Sequence, residues 1–259
     1  MEEQKTILWW RILSGLATVN ICLWVTGAFT VEVTGPYIKW QLFFSGTFTA
    51  VCAFRSYFPR ICLERYCLFD RPASSIILGR SAATIAEVSF AFQVGLMIHE
   101  MGTTTGISWL QNLLIPIVFL LTVAQFFCWL SVLSLNHLGH AIEESLWAFT
   151  FLIVGVSLFF SLAHLDGNWF AMALGGSMAC ALYVLFMLLV DIPMYISRWK
   201  EGLGSKNQKM GLKEGWNDAL RRRVPTRDWK IWKPEAAWLT GYFTIAVWIS
   251  LAITFLPRG

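Results

Sequence analysis

The run Gly79-Arg80-Ser81-Ala82-Ala83-Thr84-Ile85-Ala86-Glu87 sets two ionisable side chains inside an otherwise apolar stretch. Arg80, Thr84 and Glu87 recur at i, i+4 and i+7, so a helix carries all three on one face, with Glu87 about 10 Å further along the axis than Arg80. An isolated charge at mid-membrane costs about 2.5–3.5 kcal/mol on insertion scales. Glu87 must therefore be neutralised, paired or hydrated. Two readings follow: a proton donor or acceptor in a wet cavity, or a structural carboxyl paired with an arginine or hydrogen-bonded to Asn20 or Gln125. The small residues around it predict a helix enclosed by other helices rather than by lipid.

A second constellation is Asn136-His137-Leu138-Gly139-His140-Ala141-Ile142-Glu143-Glu144. If it is helical, His137, His140 and Glu144 share a face at i, i+3 and i+7, a spacing that can offer three ligands to one divalent metal or support acid–base chemistry. The plain alternative makes both histidines loop residues and lets Glu143 and Glu144 complement the N-terminal dipole of the next helix. Gly139 can break the helix and spoil the shared face. Asp191 is the third signal, two residues before Pro193, which can kink its helix and free a carbonyl. A competing outer cluster is His99, Glu100, His164 and Asp166; two histidines at similar depth can ligate a haem, but no C-x-x-C-H motif is present for covalent attachment.

Other chemistry is missing or weak. The sequence has no Walker A motif, no G-x-G-x-x-G, no G-x-S-x-G and no H-E-x-x-H. The last apolar run has no lysine to form a retinal Schiff base. Of six cysteines, Cys22, Cys52, Cys128 and Cys180 fall in apolar runs and read as packing residues. Cys62 and Cys67 are half of a poor zinc motif with no second pair. No internal repeat is visible.

The elements that must position these groups are membrane helices. Hydrophobic residues make up 56% of 259 and charged residues 14%, against about 25% charged in soluble domains. The deficit is local: 101–136, 167–190 and 236–257 contain no Asp, Glu, Lys or Arg, and about 20 apolar residues cross a bilayer. That excludes a soluble enzyme, a nucleic-acid-binding domain and a disulfide-rich secreted module. The expected fold is all-α, one transmembrane domain over 1–259 with seven spans at about 9–29, 40–56, 74–99, 108–135, 145–165, 168–196 and 236–256. Span two is weakest, with fifteen uncharged residues between Lys39 and Arg55, so a six-span arrangement with a re-entrant second segment is the alternative.

Seven spans put eighteen of the twenty Lys and Arg residues on one side, leaving only Lys39 and Arg258 on the other. The positive-inside bias then predicts a cytoplasmic N-terminus and an external C-terminus. Met-Glu-Glu-Gln-Lys leads into span one without a signal-peptide cleavage site. The loop 197–235 is cytoplasmic in this topology. Within it Leu212, Trp216, Ala219 and Leu220 at helical spacing, flanked by Lys213 and Arg221–Arg223, predict an amphipathic helix on the inner leaflet. Trp229, Trp232 and Trp238 then anchor the interface.

The functional expectation is an integral, multi-pass membrane enzyme acting on a lipid-soluble small molecule, isoprenoid or other lipid. Arg80, Glu87, His140, Glu144 and Asp191 would line one cytoplasm-facing cavity and carry acid–base or metal-assisted chemistry. Membrane lipid is the expected partner and nucleic acid is not. The alternatives are a proton-coupled transporter using Arg80 and Glu87, or a non-catalytic or haem-binding membrane subunit using His99 and His164.

Overall fold

The computed structural model describes residues 2–204 and 210–256. The chain is all-α apart from three two-residue strands. Helices α1 (Glu2–Thr30), α2 (Pro36–Tyr57) and α3 (Ile76–Thr105) are followed by the short α4 (Ser108–Gln111), then α5 (Leu114–Ser134), α6 (His137–Ser161) and α7 (Gly167–Phe186). A π-helical segment, Met187–Asp191, joins α7 to α8 (Ile192–Gly204) without a break. After α9 (Leu212–Arg221), helix α10 (Trp229–Gly241) runs through a second π-helical segment, Tyr242–Ala246, into α11 (Val247–Phe255).

Among the described residues, six stretches are long and apolar enough to cross a membrane: Glu2–Thr30, Ile76–Thr105, Leu114–Ser134, His137–His164, Gly167–Leu203 and Trp229–Phe255. The expected second span, α2, is a 22-residue helix but is not among them. Lys39, Gln41, Ser45, Thr47 and Thr49 dilute its apolar residues, so its mean hydropathy is lower than that of the six. Large apolar side chains face outward along the six, Phe119, Phe159, Leu182 and Leu189 among them, as expected of helices whose solvent is hydrocarbon.

Several boundaries differ from the sequence expectation. Span five starts at His137 rather than 145, because Asn136 caps α6 by accepting a hydrogen bond from Leu138 N at 3.2 Å. The histidines therefore lie in the first turn of a helix and not in a loop. Span six continues past 196 to Gly204: the π-helical segment Met187–Asp191 lies directly before Pro193, and such a local π adjustment lets a membrane helix run on through a proline. The segment 197–235 is largely helical; Lys206, Lys209 and the external Arg258 of the charge argument lie outside the described residues.

The chain divides into two compact units. The first comprises residues 1–90 and 216–255. In it α1 and α2 pack together and against the α10–α11 stretch, Asn20 donating to the Phe243 carbonyl (3.1 Å) and accepting from Trp248 Nε1 (3.0 Å). One end of this unit is polar and knitted. Strand β1 (Arg60–Ile61) pairs antiparallel with β2 (Tyr66–Cys67), which pairs in parallel with β3 (Val224–Pro225). Arg65, with φ +61° at the hairpin turn, is 1% exposed; its Nε donates to Asp218 Oδ2 (2.8 Å) and its Nη1 to the Cys62 carbonyl (2.6 Å). Arg60 donates to the carbonyls of Phe58 and Ser75. Thr6, at the start of α1, donates to the Arg227 carbonyl at 2.9 Å, and Trp9 stacks near Trp229 and the fully buried Trp232.

The second unit comprises, among the described residues, 91–204, 210–215 and 256. Helices α5, α6, α7 and α8 form its bulk. α5 ends on Leu135 in the left-handed conformation (φ +54°), and α6 begins two residues later. This tight hairpin requires Gly139: a Cβ there would lie 2.6 Å from the Phe127 carbonyl oxygen. The glycine expected to break the helix instead lets α5 and α6 touch.

Candidate functional site

Each unit holds one polar centre. In the first, Arg80 Nη2 donates to Glu87 Oε2 at 2.9 Å, both side chains more than nine-tenths buried on α3. The shared face read from the spacing is thus an ion pair, and it is arginine that partners Glu87 while Asn20 is taken up by Phe243 and Trp248. Tyr242 lies within electrostatic reach of both members of this pair and Cys52 within reach of Glu87, while Arg55 is within reach of Tyr242 and Cys52. Arg55 sits 5.1 Å over the Phe243 ring. Phe48 stacks on Phe90 at 5.0 Å and meets Tyr242 edge-on at 6.4 Å. The centre is therefore one carboxylate and two guanidiniums walled by aromatic rings. Tyr242 opens the π-helical segment of its span, a backbone feature found often at functional sites. The buried hydroxyls of Thr49 and Thr244 have no hydrogen-bond partner among the described residues.

In the second unit, the α5–α6 hairpin brings Cys128 opposite His140. His140 Nδ1 lies 2.7 Å from Glu143 Oε2 and 3.9 Å from Cys128 Sγ, all three side chains being buried. The His140 ring is 5.0 Å from the Tyr195 ring of α8, and His137 stacks on the same tyrosine at 6.2 Å. Asp191, last residue of the first π-helical segment, is half-buried within electrostatic reach of His140, Glu143 and Arg198. Glu144 is half-buried, one residue beyond the acid that bonds His140.

The structure thus brings His137, His140 and Asp191 into one neighbourhood, with Glu143 rather than Glu144 as the carboxylate bonded to His140. Arg80 and Glu87 form an ion pair inside the first unit. Sequence reading missed Cys128, Glu143 and Tyr195 here, and Cys52, Arg55 and Tyr242 in the first centre. Glu143 was legible as an i+3 neighbour of His140; Cys128 was not, because its approach depends on the hairpin. At the outer positions His99 donates from Nδ1 to the Gln111 carbonyl (2.7 Å) and is exposed, as is His164. Among the described residues, the one group of three or more metal-ligating side chains is Cys128, His140 and Glu143.

No protein family, curated protein or solved structure matches the chain.

Proposed function

We propose that the chain is an integral membrane enzyme that moves a proton on a lipid-soluble substrate, with Glu87 as the proton-transferring group and Arg80 as the cation that holds it. The observation carrying this reading is the Arg80–Glu87 pair, buried inside a helix long and apolar enough to span. A buried ion pair is expensive to desolvate and is weak evidence of stability, whereas intramembrane charges mark functional positions. The surrounding rings of Phe48, Phe90, Tyr242 and Phe243 suit an apolar substrate, isoprenoid or other lipid, and stabilise positive charge developing on it.

The topology that goes with this reading has seven spans, α2 included, with a cytoplasmic N-terminus. Two contacts support it. Thr6 bonds Arg227, and β2, in the α2–α3 connection, pairs with β3 three residues before Arg227. The N-terminus, the α2–α3 connection and the α9–α10 connection therefore meet at one end of the unit. α1 leads away from that end, so α2 must lead back. At 22 residues it is about 33 Å long, and its short uncharged core is accommodated by snorkelling and local thinning. Leu212, Trp216 and Leu220 are exposed on α9 beside Lys213 and Arg221, which suits a helix lying on anionic inner-leaflet lipid.

The test compares lipid extracts, by mass spectrometry, from cells expressing the wild-type chain or Glu87→Gln. The expected result is a lipid species formed or consumed only with wild type. Identical profiles at equal membrane expression overturn the enzyme reading. Proton flux into proteoliposomes that vanishes in Glu87→Gln, with unchanged lipids, puts the transporter in its place.

A further inference from the structure

We infer that Cys128, His140 and Glu143 form a binding site for one divalent metal ion of the zinc class. The inference is independent of the role given to Glu87.

Three atoms with lone pairs, a sulfur, an imidazole nitrogen and a carboxylate oxygen, lie within 4.8 Å of one another and are all buried. His140 Nδ1 lies 2.7 Å from the Glu143 carboxylate and 3.9 Å from the Cys128 sulfur. Sulfur, imidazole nitrogen and carboxylate oxygen thus converge on one small volume, and each becomes a metal ligand once deprotonated.

The distances fit. With zinc–sulfur near 2.3 Å and zinc–nitrogen or –oxygen near 2.0–2.1 Å in tetrahedral geometry, ligand atoms stand about 3.3–3.6 Å apart. Cys128 and His140 would close by a few tenths of an ångström. The His140–Glu143 contact would open by about 0.6 Å, within the reach of a carboxylate rotation. One thiolate, one imidazole and one carboxylate select a borderline cation over magnesium or calcium. Three protein ligands leave the fourth tetrahedral position open, the pattern of zinc sites that hold water or substrate.

The supports lie in the backbone. Gly139 sets α6 against α5 at the Phe127 carbonyl, and Ser131 Oγ donates to the Asn136 carbonyl at 2.7 Å, so the hairpin that presents Cys128 to His140 is fixed at both ends. Tyr195 lies against the His140 ring and fixes its plane, and Asp191 adds negative charge nearby. Such outer groups orient ligands and raise affinity.

The experiment uses the purified full chain in detergent, stripped with a chelator and titrated with cobalt(II), then zinc(II). Wild type is expected to bind one ion per chain and to show a thiolate-to-cobalt charge-transfer band. Cys128→Ser should lose the band, and His140→Gln and Glu143→Gln should each weaken binding at least 10-fold, since even an outer-shell partner is worth 10–100-fold. Cys180→Ser, another buried thiol of the same unit, should behave as wild type. The inference is overturned if wild type shows no thiolate band, or if His137→Gln and Glu144→Gln remove the ion while Cys128→Ser keeps it. Should Cys128→Ser fail to give a monodisperse protein, X-ray absorption of zinc-loaded wild type decides: one sulfur at about 2.3 Å supports the site and a sulfur-free shell refutes it.

Discussion

Arg80 reaches along two turns of α3 to set its Nη2 2.9 Å from Glu87 Oε2, an ion pair closed within a single helix. Breaking a buried pair from one side leaves an uncompensated charge and costs about 3–5 kcal/mol. Arg80→Gln and Glu87→Gln are each expected to lower the melting temperature in detergent. The double variant should recover most of that loss, because neither charge remains. Activity should not return in the double variant if Glu87 transfers the proton; recovery of both would make the pair structural.

Gly139 is the contact point of the α5–α6 hairpin. Gly139→Ala forces a methyl group onto the Phe127 carbonyl, and overpacking of this kind costs about 1–3 kcal/mol. The helices should part, so metal affinity measured by cobalt titration should fall together with thermal stability. Gly175→Ala, whose added Cβ meets nothing within 4 Å, serves as the silent control.

Arg65 and Asp218 tie the β1–β2 hairpin to α9 through a 2.8 Å bond, with Arg65 fully enclosed. Asp218→Asn should cost about 3–5 kcal/mol by the same argument. The loss should appear first as faster proteolysis in the α2–α3 connection, before global unfolding. An unchanged proteolysis rate would show that the strand pairing with Val224 holds the hairpin without the ion pair.

Sidedness is checked by labelling. Glu64 is exposed at the hairpin turn and Thr104 is exposed at the far end of α3. In a background lacking Cys62, a membrane-impermeant maleimide should label Glu64→Cys only in inside-out vesicles and Thr104→Cys only in right-side-out vesicles. The reverse pattern would invert the orientation read from the basic residues, and labelling of both from one side would remove α3 as a span.

Burial, and then the nearby Asp70 carboxylate, push the Cys67 thiol above its usual range. The folded state therefore favours the neutral thiol more than the unfolded chain does. Stability from this group is fully present below the unfolded value, about 8.5, and is lost as pH rises through the folded one. Between pH 8 and 10 the melting temperature of wild type should fall more steeply than that of Cys67→Ala. Equal slopes would show that the thiol is hydrated in the fold.

The sequence by itself determined the class of fold and the positions of the costly groups. Hydrocarbon admits helices whose backbone bonds are closed internally, so apolar runs such as 101–136 declare themselves without any knowledge of neighbours. Helical periodicity likewise put Arg80 and Glu87 on one face, because partners seven residues apart on one helix are a local matter. α2 was harder to read: its apolar core is short, and its place as a span in the proposed topology rests on the link of Thr6 with Arg227 and of Tyr66 with Val224. Tertiary structure alone decided which acid His140 bonds and that Cys128 stands beside it. The spacing put Glu144, not Glu143, on the face of His137 and His140, and the eleven residues between Cys128 and His140 carry no period. The left-handed turn at Leu135 and the bare Cα of Gly139 fold those residues back, and the close approach of two helices joins a thiol that looked like packing to a histidine that looked like a loop.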